Sequence, residues 1–453
     1  MLDVKFIRDN ADKVKEAVRN KGIDLDVDQL LDVDAKRRDL LTELESLQAS
    51  KNAFSKEIGK LSPQEKQAKL LEMKEVDQRA TSLKIQVDET LKEYERLMYL
   101  VPNIASPETP IGKDAAGNVP WRYWSVKTGI VDPNKDTDKV AEVPAKFDFE
   151  IKDHIALGEA LDLLDVEAGV KTSGFRGYYL KNEAVLMQYG LIWLALKKMQ
   201  TAGFGLMVPP ILDKSFAFYG SGHFPFGRAD QYQVLTAEDI DELEGGKARE
   251  EVYLAGTSEP ALLAYYADKT LDEKQLPIKV CGVSPCFRGE IGSYGKDSRG
   301  LYRVHEFMKV EQVILCKADI FESEKWHETM REIAEGLLQD LKLPYRVLNI
   351  CTGDMGAGKY KMYDIETWMP SRKNFGETHS DSNLTDWQAR RLNIKYKTAD
   401  GKTKYAYTLN NTVIASPRIL IAILENYQQK DGSVAVPEVL RPYVGKEILK
   451  IKS

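Results

Sequence analysis

The stretch at 286–311, CFRGEIGSYGKDSRGLYRVHEFMKVE, concentrates side chains that bind charge. Two segments with strand-like alternation, 278–290 and 301–315, flank a loop carrying Gly289, Gly292, Gly295 and Gly300. A period of two places Cys286, Arg288 and Glu290, then Arg303, His305, Phe307, Lys309 and Glu311, on one side of the hairpin. The other side holds Val304, Met308, Val310 and Ile314. Such a face suits a charged ligand: arginine forks match phosphate oxygens, a phenyl ring stacks on a base, and carboxylates take an amine or a hydroxyl. A solvated outer face of an antiparallel sheet is the plainer alternative.

Three further segments carry candidate chemistry. In YLAGTSEPAL, at 253–262, Thr257-Ser258-Glu259 leads into a helix. The pattern fits N-terminal capping before anything else, although a carboxylate is what an ammonium needs. At 376–383, GETHSDSN supplies Glu377, Thr378, His379 and Ser380; a polar turn capping the next helix accounts for Ser382 and Asn383 but explains Glu377 poorly. That segment follows a strand around 364–368 and precedes DWQARR. At 405–428 a strand runs through Asn410 and Thr412 to Ser416, expected as N-cap, with Pro417 at N1 and Arg418 in the first turn. The helix after it is apolar nearly all round, hence buried, and a cation at its positive end marks an anion site.

The elements that must hold these residues read as α+β. Helical patterns span 157–168, 183–202 and 319–341. FGLMVPPIL, at 204–212, reads as a strand closing on Pro209-Pro210. Residues 1–26 read as a short strand and a helix. Leu40, Leu44, Leu47, Lys51, Phe54, Ile58 and Leu61 follow a 4-3 heptad spacing, as do Met73, Val76, Ala80, Leu83, Val87, Thr90, Tyr94 and Leu97, with Ser62-Pro63 between them. This predicts an antiparallel coiled-coil hairpin over about 28–98, projecting as an arm. Pro102, Pro107, Pro110, Gly112 and Gly117 mark a linker. The domains expected are 1–103, a linker at 104–120, and 121–453.

A net charge of −6 excludes whole-surface attraction to nucleic acid, so such a partner needs a local patch. Residues 31–100 hold 13 Lys+Arg against 14 Asp+Glu, so the arm is not basic overall, although Lys36, Arg37, Arg38, Lys51, Lys56, Lys60, Lys66, Lys69, Lys74, Arg79 and Lys84 can build a stripe. Four cysteines without a CxxC pair give no support for zinc and fit a reducing compartment. The charged N-terminus lacks a secretory apolar core, and no run reaches the length of a membrane span, so a cytoplasmic protein is expected.

The hairpin resembles motif 2 of class II aminoacyl-tRNA synthetases, specifically of the seryl-tRNA synthetases. The strand at 204–212 resembles motif 1, which builds the dimer interface in this class, and 405–428 resembles motif 3. The heptad arm and the PEVLRPYVG tail at 437–445 extend the likeness over the whole chain. It implies an antiparallel catalytic sheet flanked by helices, a homodimer, and ATP-dependent charging of serine tRNA through the coiled-coil arm, with selenocysteine tRNA as a second candidate.

By this resemblance Arg288, Arg418 and Glu311 carry catalysis. Serine is held by Thr257, Ser258, Glu259, Arg288, Glu311, Asn410 and Thr412. ATP meets Arg288, Gly289, Glu290, Arg303, Val304, His305, Glu306, Phe307, Glu377, Thr378, His379, Ser380 and Arg418, with magnesium on Glu377 and Ser380. Asn410-Asn411-Thr412 stands where some members carry glycine-serine-glycine, and Thr412 keeps a hydroxyl. A catalytically silent tRNA-binding relative and a ligase charging a carrier protein are the other classes considered. The intact Arg288, Glu311, Glu377 and Arg418 count against the first, and the arm against the second.

Overall fold

The computed structural model describes residues 1–58, 62–245, 249–291 and 300–451. Lys60 of the basic stripe, Leu61 of the first heptad run, and Gly292 and Gly295 of the glycine-rich loop lie outside them. The chain divides into two compact units, Met1–Pro102 and Asn103–Ser453.

The first unit is helical. The strand expected near the start is instead two helices, α1 (Val4–Asp9) and α2 (Ala11–Asn20). Asp3 caps α1 by accepting from the Lys5 amide, and Ile7, Val14 and Val18 bury into a base core with Leu30, Leu97 and Val101. The 3.6-residue spacing of those apolar positions outweighs the β-branched content of so short a segment. Helices α3 (Val27–Glu57) and α4 (Pro63–Leu100) form the arm. Ser62 and Glu65 make a reciprocal capping box, with Pro63 in the first turn, so the break read in the sequence is the start of α4. The heptad positions Met73, Leu83 and Val87 are buried between solvent-exposed neighbours, and Thr90 and Leu97 are buried as well. Lys51, a heptad position, pairs with Asp77 across the hairpin, as Arg79 does with Glu43.

In the second unit, among the described residues, nine strands make one sheet: β1 (Val119–Ser125), β2 (Gly129–Val131), β3 (Gly205–Met207), β4 (Ile278–Phe287), β5 (Glu306–Cys316), β6 (Tyr345–Asn349), β7 (Lys361–Met369), β8 (Asn374–Thr385) and β9 (Tyr407–Ala415), in the order β2-β1-β6-β7-β8-β9-β5-β4-β3. Every neighbouring pair is antiparallel except the edge pair β3–β4. Helices α5 (Glu183–Thr201), α7 (Ile320–Asp340) and α9 (Ser416–Asn426) cover one face. Met187, Met330 and Ile419 to Leu424 pack there on Val310, Ile314, Ile365 and Val413. Two short helices, α6 (Glu259–Ala264) and α8 (Trp387–Arg391), lie by the opposite face, where Leu262, Leu263 and Ala389 pack with Val280, Val313 and Leu315.

Several elements differ from expectation. The helix at 157–168 is two helices, His154–Ala160 and Val166–Ser173, separated at Asp162, whose φ is 56°, and restarted by Asp165 as N-cap. The strand at 204–212 shrinks to β3, because Pro209 and Pro210 lack the N–H groups a ladder needs. Leu212–Lys214 pairs separately with Val252–Leu254. Residues 376–383 are strand β8, which excludes the polar turn. Ser416 lies inside α9 rather than capping it, since its hydroxyl donates to Gln188 at 2.8 Å. The Pro/Gly stretch at 104–120 is built into the second unit. The Asn103 amide at its head donates to Gly358 and Leu384 carbonyls, and Thr352 donates to the carbonyl of Gly112.

Candidate active site

The β4–β5 ladder starts at Phe287 opposite Glu306. Arg288, Glu290, Arg303 and His305 therefore sit beyond the ladder rather than on its face, and Glu290 leaves it with a φ of 51°. Phe307, Lys309 and Glu311 do alternate along β5, on the face away from the core helices. Between β5 and β9 the register slips beside Glu311, which pairs with Thr412 while Val310 pairs with Ile414. This bulge keeps Asn410 and Thr412 on the same face as Glu311. Gly282 stands opposite Glu311 on β4, and a Cβ there would meet Ser258 Oγ at 2.6 Å, so the missing side chain lets the start of α6 close onto the strand.

One cavity gathers most of the expected residues: Thr257, Glu259, Arg288, Glu290, Arg303, Val304, Phe307, Glu311, Glu377, Thr378, His379, Ser380, Asn410, Thr412 and Arg418. It leaves out four. Ser258 is buried behind the wall, and Gly289 donates its amide to the Asp230 carbonyl at 2.8 Å. His305 and Glu306 turn to a neighbouring pocket with Arg176 and Tyr232. His305 nonetheless braces the site, because its carbonyl accepts from the Arg288 amide at 3.0 Å.

One end of the cavity is rich in guanidinium. Arg418 Nη1 donates to Glu377 Oε2 at 3.1 Å and to the Glu377 carbonyl at 2.7 Å, and its guanidinium lies 4.5 Å from the centre of the Tyr302 ring. Arg303 Nη1 donates to Glu290 Oε2 at 2.8 Å. Arg288 Nε donates to the Gly256 carbonyl at 3.1 Å, and its guanidinium stands 5.5 Å from the Phe307 ring. Burial works against the Glu377 carboxylate, but Arg418, with Arg288 and Arg303, more than offsets it and holds its pKa below the ordinary value.

The other end is carboxylate and hydroxyl. Glu311 is only 2% exposed and forms an ion pair with Lys309, whose Nζ also donates to Thr257 Oγ1 at 3.1 Å. Burial raises the Glu311 pKa and nearby Glu259 adds to it, against the pull of Lys309. Glu259 Oε1 accepts from Asn410 Nδ2 at 2.7 Å and from Gln388 Nε2 at 2.6 Å. His379 is kept neutral, its pKa lowered to about 4 chiefly by burial.

Sequence reasoning missed His223, Tyr302 and Lys359 as wall residues, and took Lys309 only as a face residue. Lys309 shares the parity of Phe307 and Glu311, a signal that was available. His223 and Lys359 come from segments with no local pattern pointing at the site.

Oxygen donors cluster on two adjacent strands, where Asp364 pairs with Ser380 and Glu366 with Glu377. Asp364 Oδ1 is buried without a hydrogen-bond partner. Among the described residues no group of three or more His, Cys, Asp or Glu could hold a metal ion unaided. The set fits a hard ion that keeps waters and takes most ligands from phosphate.

Comparison with known proteins decides the family. Residues 242–427 match the tRNA synthetase class II core domain (G, H, P, S and T), and residues 1–105 match the seryl-tRNA synthetase N-terminal domain. The chain is 43% identical over 450 residues to the serine–tRNA ligase of Deinococcus radiodurans, covering 99% of both. The chain belongs to the seryl-tRNA synthetase family. Among solved structures, the seryl-tRNA synthetase of Pyrococcus horikoshii complexed with ATP aligns at a TM-score of 0.86 and 37% identity over all of both chains. The cytoplasmic serine–tRNA ligase of Naegleria fowleri in complex with AMP aligns at 0.80 and 29% identity, over all of this chain and 99% of that one. The antiparallel sheet and the long N-terminal helices are those expected of the family. Among the described residues no helix is long and apolar enough to cross a membrane.

Proposed function

We propose that this seryl-tRNA synthetase family member activates L-serine with ATP and transfers the seryl group to serine tRNA, using the two ends of this one cavity for the two halves of the adenylate. The observation that carries the reading is the polarity of the cavity: three arginines at one end, two buried carboxylates with hydroxyls at the other. The serine carboxylate attacks the α-phosphorus, forming the acyl–phosphate bond while pyrophosphate leaves. The terminal ribose hydroxyl of the tRNA then attacks the seryl carbonyl, and AMP leaves.

In this assignment Arg288 holds the α-phosphate next to Phe307, on which adenine stacks, with Glu290 and the backbone at 304–306 at the base edge. Arg303 and Arg418 take the outer phosphates. Thr257, Glu259, Glu311, Asn410 and Thr412 hold serine, the ammonium at Glu259 and the hydroxyl at Glu311. Glu377 and Ser380 would hold Mg²⁺, which when bound neutralises charge on the departing phosphates. The protein's own contribution is to orient reactants and stabilise charge.

The coiled coil of α3 and α4 is assigned to tRNA, as a domain comprising 1–103. Leu186, Tyr189 and Trp193, spaced along one side of α5, are exposed, as are Leu206 in β3, against which α5 packs, and Val208 just after it. So much uncovered apolar surface supports a homodimer about this region. Pyrophosphate exchange assayed with each of the twenty amino acids tests the activity: serine should dominate, and exchange driven by another amino acid, or by none, overturns the reading.

A further inference from the structure

Gln388 lies wholly buried in α8, within the DWQARR segment whose purpose the sequence left open. Its amide is engaged at both ends. Nε2 donates to Glu259 Oε1 at 2.6 Å and to the Ser221 carbonyl at 2.8 Å, while Oε1 accepts from Thr408 Oγ1 at 2.7 Å. Turning the amide over would face its oxygen with a carboxylate and a carbonyl, two groups that can only accept. The orientation is thus fixed by its neighbours. The helix that carries Gln388 is itself anchored. Arg391 Nη1 donates to the Tyr219 carbonyl at 2.8 Å and stacks 3.6 Å from the centre of Trp387.

Glu259 therefore has one oxygen, Oε1, saturated by two neutral amides, those of Gln388 and Asn410. The buried cation at this end, Lys309, is engaged instead by Glu311 and Thr257. Amides orient a carboxylate without cancelling its charge, which a lysine or arginine in the same place would do.

We infer that Gln388 is a positioning residue for the amino-acid ammonium: by holding Oε1 of Glu259 it leaves Oε2 and an uncancelled negative charge for the substrate. The inference rests on the assignment of Glu259 to the ammonium. It makes Gln388 a determinant of serine affinity, with no part in binding ATP.

The test uses the full-length protein, Gln388→Glu and Gln388→Met variants, and serine-dependent pyrophosphate exchange followed from pH 6 to 9. Glu259 shares its end of the cavity with Glu311, Lys309, His223 and Lys359, all unaltered in these variants. Gln388→Met should raise KM for serine by 10- to 100-fold at every pH and leave KM for ATP within twofold. Gln388→Glu should lose as much at high pH, where two carboxylates face each other, and recover as pH falls. There the pair holds one proton, and the protonated carboxyl donates to Glu259 as the amide did. A pH-independent loss in Gln388→Glu, an equal rise in KM for ATP, or unaltered serine KM in both variants overturns the inference. Thr408→Val, which removes only the donor to Gln388 Oε1, serves should the direct variants fail to fold, and should raise KM for serine alone. Glu259→Gln tells the two layers apart. If it leaves serine KM unchanged, the ammonium assignment itself fails; if it raises KM while the Gln388 variants do not, only the role of Gln388 fails.

Discussion

Glu311→Ala separates the two things this carboxylate does. Glu311 is buried against Lys309 on the same strand, and Lys309 has Thr257 as its hydrogen-bond acceptor. Removing one member of a buried ion pair destabilises a protein by about 3–5 kcal/mol, because the other charge stays in low dielectric. The variant should therefore melt earlier, and Lys309→Met added to it should restore much of the loss. Catalysis follows a different rule. A hydrogen bond from the serine hydroxyl to a carboxylate contributes about 1.5–3 kcal/mol, so kcat/KM for serine should fall by roughly 10- to 150-fold. Alanine has no hydroxyl to lose, and in the variant no longer leaves a buried carboxylate unsatisfied. The serine-to-alanine preference should shrink by at least that factor, from the roughly 10⁴–10⁵ that a hydroxyl-binding site can reach. Threonine should stay poor, since its exclusion is steric. Pyrophosphate exchange with the three amino acids, run well below the variant's melting temperature and with KM for ATP as control, reads all of this. An unchanged serine-to-alanine ratio in folded protein would refute the reasoning and leave Glu311 a structural partner of Lys309.

Arg288→Lys keeps the charge but not the fork that reaches Gly256 and flanks Phe307; adenylate formation should fall well over tenfold, and near-normal exchange kinetics would sink the phosphate assignment. Replacing residues 43–79 by a short loop shortens the arm outside the base core of Ile7, Leu30, Leu97 and Val101, so exchange should persist while tRNA charging is lost; charging at the full-length rate would give the arm another purpose. Asp213 is buried, and burial raises its pKa to about 6. The unfolded carboxyl titrates near 3.9, so the folded state binds the extra proton and stability declines as pH rises from about 4 to about 6, by on the order of 3 kcal/mol. Asp213→Asn should remove that slope in thermal melts; a slope as steep as the parent's would contradict it.

What the sequence disclosed depended on how local the signal was. The heptads of α3 and α4 were legible because each buried position repeats in register, and even the Ser62-Pro63 boundary was written in capping residues. The parity of Phe307, Lys309 and Glu311 survived because it lies within one strand. Parity failed for Arg288, Glu290, Arg303 and His305, since a ladder ends where pairing ends, and a positive φ at Glu290 carries no sequence marker. Ser416 looked like a cap until Gln188, 228 residues away in sequence, claimed its hydroxyl. His223, Lys359 and the Gln388–Glu259 bond were hidden for the same reason: they join segments that only the folded sheet brings together.

A structure of the protein with a non-hydrolysable seryl-adenylate analogue measures the central assignment most directly. The account predicts the adenine on Phe307, the phosphate replacement at Arg288, the ammonium within hydrogen-bond distance of Glu259 and the serine hydroxyl on Glu311. An analogue seated with its amino-acid moiety among Arg303, Glu377 and Arg418 would contradict it.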